Sequence, residues 1–281
     1  PKDITEDSCE FEYPDKVHMR SYRPNIEIKN NDINTAVKSI LNSKKPVIYA
    51  GGGVINSNAS SELTELAKYL NFPVTNTLMG LGCYPGDDDQ FLQMLGMHGS
   101  YEANMAMHDC DLLIAVGARF DDRITGRLDK FSPNATVIHI DVDPSSISKN
   151  IKAHIPIIGD VKDAVKQISK QIIEKKLKPQ NIDEWWAQIN EWRKKDSFKY
   201  TQDSEIIKPQ YVVDRLYDIT NGDAFITSDV GQHQMWAAQL PQGLMRPRDL
   251  PTHAPRNKNR EPMNFVALPT DSLVLACSVA A

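Results

Sequence analysis

Residues 111–116, DLLIAV, are wholly apolar after the first position and run directly into Gly117-Ala118-Arg119-Phe120-Asp121-Asp122-Arg123. A stretch this short cannot span a membrane. One so evenly apolar does not suit a sheet with a wet face, so it reads as a strand buried on both sides. Such strands belong to parallel sheets covered by helices, and ligands settle beyond their carboxyl ends. There glycine permits close approach of a ligand to the backbone, and arginine supplies a fixed positive charge. The span 94–127, two glycine-bearing polar loops around one apolar run, therefore points to a nucleotide-like cofactor.

The same rhythm recurs along the chain. Asn31-Asp32 is positioned to cap a helix reaching about Asn42, and Val47-Ile48-Tyr49-Ala50 is a short buried strand followed by Gly51-Gly52-Gly53. Leu63, Leu66, Ala67 and Leu70 have helical spacing, and a strand follows over 72–77. After a long loop at 78–99 come a helix at 101–108 and strands at 111–116, 136–141 and 155–158. Asp160 is then placed to cap a helix marked by Val161, Ala164, Val165, Ile168 and Ile172. The alternation predicts an α/β domain over 31–175, a parallel sheet of about six strands with helices on both faces.

Residues 1–30 read as an interdomain linker, and 176–207 as a tryptophan-bearing helix (Trp185, Trp186, Ile189, Trp192) plus a second linker. An incomplete second α/β domain opens over 208–240, with a helix at 210–220 and a strand at 224–227. The proline- and arginine-rich 241–281 has neither period, which predicts a disordered or frameshifted tail. The first residue, Pro1, reads as the interior of a longer polypeptide.

Bulk composition excludes several classes. With 32 Lys and Arg against 37 Asp and Glu, a net charge of −5 offers no basic field for nucleic acid. No apolar run approaches the roughly 20 residues of a membrane helix. Cys9, Cys83, Cys110 and Cys277 are too scattered for a metal cluster and read as free thiols in a reducing cytoplasm. The sequons at Asn58 and Asn134 then carry no weight.

Each motif has a plainer alternative. Gly51-Gly52-Gly53 departs from GxGxxG and serves equally as a flexible turn. His98, in Leu95-Gly96-Met97-His98-Gly99, is a lone loop histidine. The two arginines and two aspartates of 119–123 can pair among themselves on a solvated loop. Asp141 is placed to receive a ribose, while Asp143 with Pro144 is placed to start a helix over 145–150. Val230-Gly231-Gln232-His233, between a strand and a helix, is placed to meet a phosphate.

Taken in order, KPVIYAGGG (45–53), PVTNTLMGLGCYPG (73–86), the long run 95–135, HIDVDPSSISKN (139–150), IPIIGDV (155–161) and SDVGQHQMWAAQ (228–239) closely resemble the large catalytic subunit of the acetohydroxyacid (acetolactate) synthases. The likeness runs from Pro1 to about Leu240. It implies the central FAD domain of a thiamin-diphosphate enzyme and the start of its diphosphate-binding domain. The family decarboxylates pyruvate and joins it to a second pyruvate or to 2-oxobutyrate, on the way to branched-chain amino acids. FAD there performs no net redox chemistry, and the family forms homodimers with a regulatory small subunit.

Carried over by position, the resemblance implies FAD contacts at Gly51, Gly52, Gly53, Thr77, Leu78 and Met79, and at Leu95, Gly96, Met97 and His98. Further contacts are implied at Gly117, Ala118, Arg119, Asp121, Arg123 and Ile124, with Asp141, Val142, Gly159, Asp160 and Val161 at the adenosine end. Arg123 is also implied to lie near the substrate channel. Val230, Gly231, Gln232 and His233 match the first diphosphate-binding segment for thiamin. The family's catalytic glutamate and its Gly-Asp-Gly magnesium motif have no counterpart here, so the chain alone is expected to be inactive. Pyruvate oxidase, glyoxylate carboligase or a non-catalytic nucleotide-binding module are the alternatives weighed against this reading.

Overall fold

The chain is described by a computed structural model covering residues 8, 10, 12, 13, 27–220, 225–228, 230–240, 265–267 and 276–278. The apolar run of the sequence becomes β4 (Leu112–Val116), with every residue buried. It lies between β1 (Pro46–Ala50), also wholly buried, and β5 (Thr136–Asp141). With β2 (Val74–Asn76), β3 (Phe91–Met94) and β6 (Ile155–Ile158), these strands form one six-stranded sheet in the order β3-β2-β1-β4-β5-β6. Every neighbouring pair is parallel.

The order turns back between β1 and β4, so the crossovers up to β3 run one way across the sheet and those after it run the other. Because right-handed crossovers are the rule, this puts α3 (Ser60–Leu70), between β1 and β2, on one face, and α4 (Tyr101–Asp109), between β3 and β4, on the other. The packing agrees. α1 (Asn30–Asn42) and α3 meet α6 (Val161–Ser169), while α4 meets α7 (Asp183–Arg193). Trp185 anchors α7: its ring is buried, its indole N–H donates to the Pro46 carbonyl at 3.0 Å, and Trp192 meets it edge-on at 5.6 Å.

Several boundaries differ from expectation for local reasons. α1 begins at Asn30 with Lys29 as N-cap and no side-chain cap, so Asn31 and Asp32 lie in its first turn, where Asp32 suits the helix dipole. The loop expected at 78–99 contains a short 3₁₀ turn, Leu78–Gly80, and the edge strand β3, whose run FLQM is broken by polar Gln93. Gln90 secures β3 by donating to the Ala67 and Phe72 carbonyls, both at 2.9 Å. The helix expected at 145–150 is absent: Asp141 accepts from Asp143 N–H, and Asp143 from Ser145 N–H and both serine hydroxyls, which satisfies turns instead. Asp160 caps α6 as expected, accepting from the N–H groups of Lys162 and Asp163.

Beyond the domain, α8 (Pro209–Thr220), β7 (Phe225–Ser228) and α9 (Gln232–Gln239) form the expected second α/β start. Leu81 and Met94 of the first unit pack with Ala238, Leu216 and Tyr217, and Gln239 donates to the His98 carbonyl at 2.7 Å. Two short strands of the tail, β8 (Phe265–Ala267) and β9 (Ala276–Ser278), flank β7, parallel and antiparallel respectively. The rest of the tail and most of the expected amino-terminal linker lie outside the described residues. Among the described residues no helix is long and apolar enough to cross a membrane.

Candidate cofactor-binding site

The point where the strand order reverses is where the loops after β1 and β4 must part, and an open α/β sheet has its crevice there. In this chain the two loops meet through glycine. α2 (Gly52–Asn56) starts directly after β1, and Gly53 N–H donates to the Gly117 carbonyl at 2.9 Å. Gly117 has φ +57°, and a Cβ there would sit 2.6 Å from the Gly53 Cα. Only glycine fits that contact and that conformation.

Above the contact opens a cleft of about 790 Å³, a size usual for small-molecule and cofactor sites. Gly52, Gly53, Thr77, Leu78, Met79, Gly117, Ala118, Arg119, Asp121, Arg123, Ile124, Asp141 and Val142 line it, which brings together about half of the positions named from the sequence. Its walls also include Tyr49, Ile55, Asn56, Asn58, Leu81, Gly82, Ser60 and Ser146, which sequence reasoning passed over. Tyr49 lies in a strand read only as core, and Asn56 and Ser60, at helix ends, and Asn58 and Ser146, in turns, carry no motif.

The lining is chemically mixed. The Arg119 side chain is 75% exposed and pairs with Asp121 at 2.8 Å. Side-chain hydrogen bonding with Asp122, and then the Arg119 guanidinium, hold the Asp121 carboxyl below its ordinary range. Burial, reinforced by the Asp121 charge, pushes the Tyr49 phenol up. Apolar Ile55, Met79, Ile124 and Val142 supply surface for rings, Arg119 and Arg123 cations for phosphates, and Asp141 an acceptor for a ribose. That donor set fits a dinucleotide.

Other named positions lie outside the cleft lining. Gly51 is the N-cap of α2, and Leu95 is core. Gly96, Met97 and His98 are not part of the cleft lining, and Met97 N–H donates to the Arg123 carbonyl. Gly159 is covered by Ile28, Asp160 spends its carboxylate on the α6 cap, and Val161 is buried in the core, so none of the three lines the cleft. Val230, Gly231, Gln232 and His233 open α9, away from the cleft lining. The His233 ring lies over Gly231, with its buried Nε2 unpartnered among the described residues.

The sequence reading also missed His139. It is fully buried in β5, its Nε2 is 3.1 Å from the Ala118 carbonyl, and its ring meets Phe120 edge-on at 5.1 Å. The available signal was one ionisable residue inside the otherwise apolar VIHI. Among the described residues no group of three or more His, Cys, Asp or Glu side chains is placed to hold a metal ion.

Residues 33–168 match a family model described as the thiamine pyrophosphate enzyme, central domain. The chain is 48% identical over 240 residues to the acetolactate synthase large subunit of Buchnera aphidicola subsp. Schizaphis graminum, covering 85% of this chain and 42% of that protein. It is 47% identical over 256 residues to the acetolactate synthase large subunit of Haemophilus influenzae, covering 90% and 44%. It is 48% identical over 243 residues to acetolactate synthase isozyme 3 large subunit of Escherichia coli K12, covering 85% and 42%. The chain thus spans less than half the length of these relatives.

Proposed function

From homology to acetolactate synthase large subunits, with a thiamine pyrophosphate enzyme central domain at 33–168, we propose that this chain is the FAD-holding segment of such a subunit. The observation that carries the proposal is the Gly53–Gly117 contact at the switch point, with a cleft above it that displays Arg119. In this reading Arg119 would hold the FAD diphosphate and Asp141 a ribose, with Met79, Ile124 and Val142 offering apolar surface to its rings. FAD supplies a scaffold next to the thiamin site and no net redox step.

The parent reaction is decarboxylation of pyruvate and condensation with a second pyruvate or 2-oxobutyrate, dependent on thiamin diphosphate and Mg²⁺. Val230, Gly231, Gln232 and His233 are the segment of this chain proposed to meet the thiamin diphosphate. A homodimer, a regulatory small subunit and a cytoplasmic location belong to the same proposal; the buried free thiols Cys83 and Cys110 suit a reducing compartment. Titrating the purified chain with FAD and following flavin fluorescence tests the cofactor assignment. Saturable one-to-one quenching is expected, and the absence of saturation overturns it. Acetolactate formed by the full-length gene product, and none by the 281-residue chain alone, is the expected activity result.

A further inference from the structure

The turn after β4 is held by donors from four separate elements. The Gly117 carbonyl accepts from Gly53 N–H at 2.9 Å, in α2. The Arg119 carbonyl accepts from the Tyr49 hydroxyl at 3.5 Å, in β1, and the Phe120 carbonyl from the Asn150 amide at 2.5 Å, in the loop before β6. The Ala118 carbonyl faces the His139 Nε2 of β5 at 3.1 Å. A carbonyl only accepts, so Nε2 carries the proton and Nδ1 is bare. Nδ1 is buried without a partner among the described residues, which a side chain kept only for packing has no reason to tolerate.

Packing alone would be served by phenylalanine, since the ring already stacks edge-on against Phe120, which itself meets Tyr49 and Phe131. Phenylalanine, however, would strand the carbonyl of Ala118, which is 2% exposed, with no donor. A free carbonyl there would turn to find a donor, and the open space beside it is the cleft that Ala118 and Arg119 line. We propose that His139 is the positioning residue of the cofactor cleft: its Nε2–H latches the Ala118 carbonyl, holding the Gly117–Phe120 turn so that Arg119 faces the cleft. Asp141, 4.0 Å from Nε2, is the acidic neighbour on the same strand, and its own Oδ1 is engaged by Asp143 N–H. The inference rests on the FAD reading for its ligand but not for its geometry.

Amide hydrogen exchange without flavin, on wild type, His139→Phe and His139→Gln, separates the two. Glutamine places an amide N–H near the position of Nε2, whereas phenylalanine keeps only the bulk. Residues 117–121 are expected to exchange about tenfold faster in His139→Phe and near wild-type rate in His139→Gln, with β1 unchanged. FAD affinity is expected to fall about tenfold in His139→Phe and to be restored by glutamine. Unchanged protection in the phenylalanine variant, or equal loss in both, overturns the latch. If wild type binds no FAD, the cofactor reading fails while the exchange result still decides the latch. Should His139→Phe not fold, the ¹⁵N spectrum of histidine-labelled wild type decides: protonated Nε2 with bare Nδ1 is expected, and the opposite tautomer overturns the proposal.

Discussion

Gly53 and Gly117 touch backbone to backbone across the switch point of the sheet, joined by the Gly53 N–H to Gly117 carbonyl bond of 2.9 Å. The two loops that wall the cleft are thus joined directly through their backbones. Gly117→Ala would place a Cβ 2.6 Å from the Gly53 Cα at a φ of +57°, combining a clash with left-handed strain. A loss of about 2–4 kcal/mol in urea unfolding is expected, together with loss of FAD binding. A variant with wild-type stability would show that the loops part easily.

Arg119→Ala separates binding from folding. Its pair with Asp121 is largely exposed and contributes about 0–1 kcal/mol, so stability is expected to stay nearly unchanged. FAD affinity is expected to fall about tenfold, read by fluorescence titration, because the proposed guanidinium–phosphate contact is lost.

Asp160→Ala reports the opposite balance. The carboxylate caps α6 and does not line the cleft, so about 1 kcal/mol of stability is expected to go while FAD affinity stays within about twofold. A large drop in affinity would place the Asp160 side chain at the cofactor after all.

Trp185→Phe tests how α7 is fastened. It removes the indole donor to the Pro46 carbonyl and leaves a void in a fully buried site, at an expected cost of about 2–4 kcal/mol by denaturant unfolding.

Stability should also depend on pH through His139. Burial lowers its pKa below the ordinary 6.5, opposed by the Asp141 charge. Below 6.5 the unfolded chain takes up a proton that the folded chain refuses, so the contribution is complete above that pH and is lost as pH falls towards the folded value. Urea unfolding at several pH values is expected to show wild type losing stability from pH 6.5 downwards more steeply than His139→Phe. Asp121 and Asp143, held below their ordinary 3.8, act in a separate window near and below that pH. Parallel curves for the two proteins would refute the assignment.

Elements with a strong apolar pattern were legible without coordinates. DLLIAV, VIYA and TVIHID each pointed to a buried strand, and Asp160 to a helix cap, because period and capping chemistry act within a few residues. β3 was hidden because Gln93 interrupts its apolar run FLQM, which sits in a stretch rich in glycine and aspartate that reads as loop. The helix expected at 145–150 gave way to turns because Asp141 and Asp143 satisfy local backbone and hydroxyl donors that a helix would otherwise have used.

The candidate site divides along the same line. Its glycines and arginines after β4 were visible because ligand approach and charge call for those residue types at a strand's carboxyl end. Asn56, Asn58 and Tyr49 flank the named glycines but carry no motif of their own, and His139 reaches the turn through a neighbouring strand. Local pattern determined the strand alternation, the parallel α/β class and the loop most suited to a cofactor. Strand order, the Gly53–Gly117 contact and the His139 latch were decided only by tertiary structure, because each depends on which strands become neighbours, and that is settled by long-range packing rather than by any window of residues.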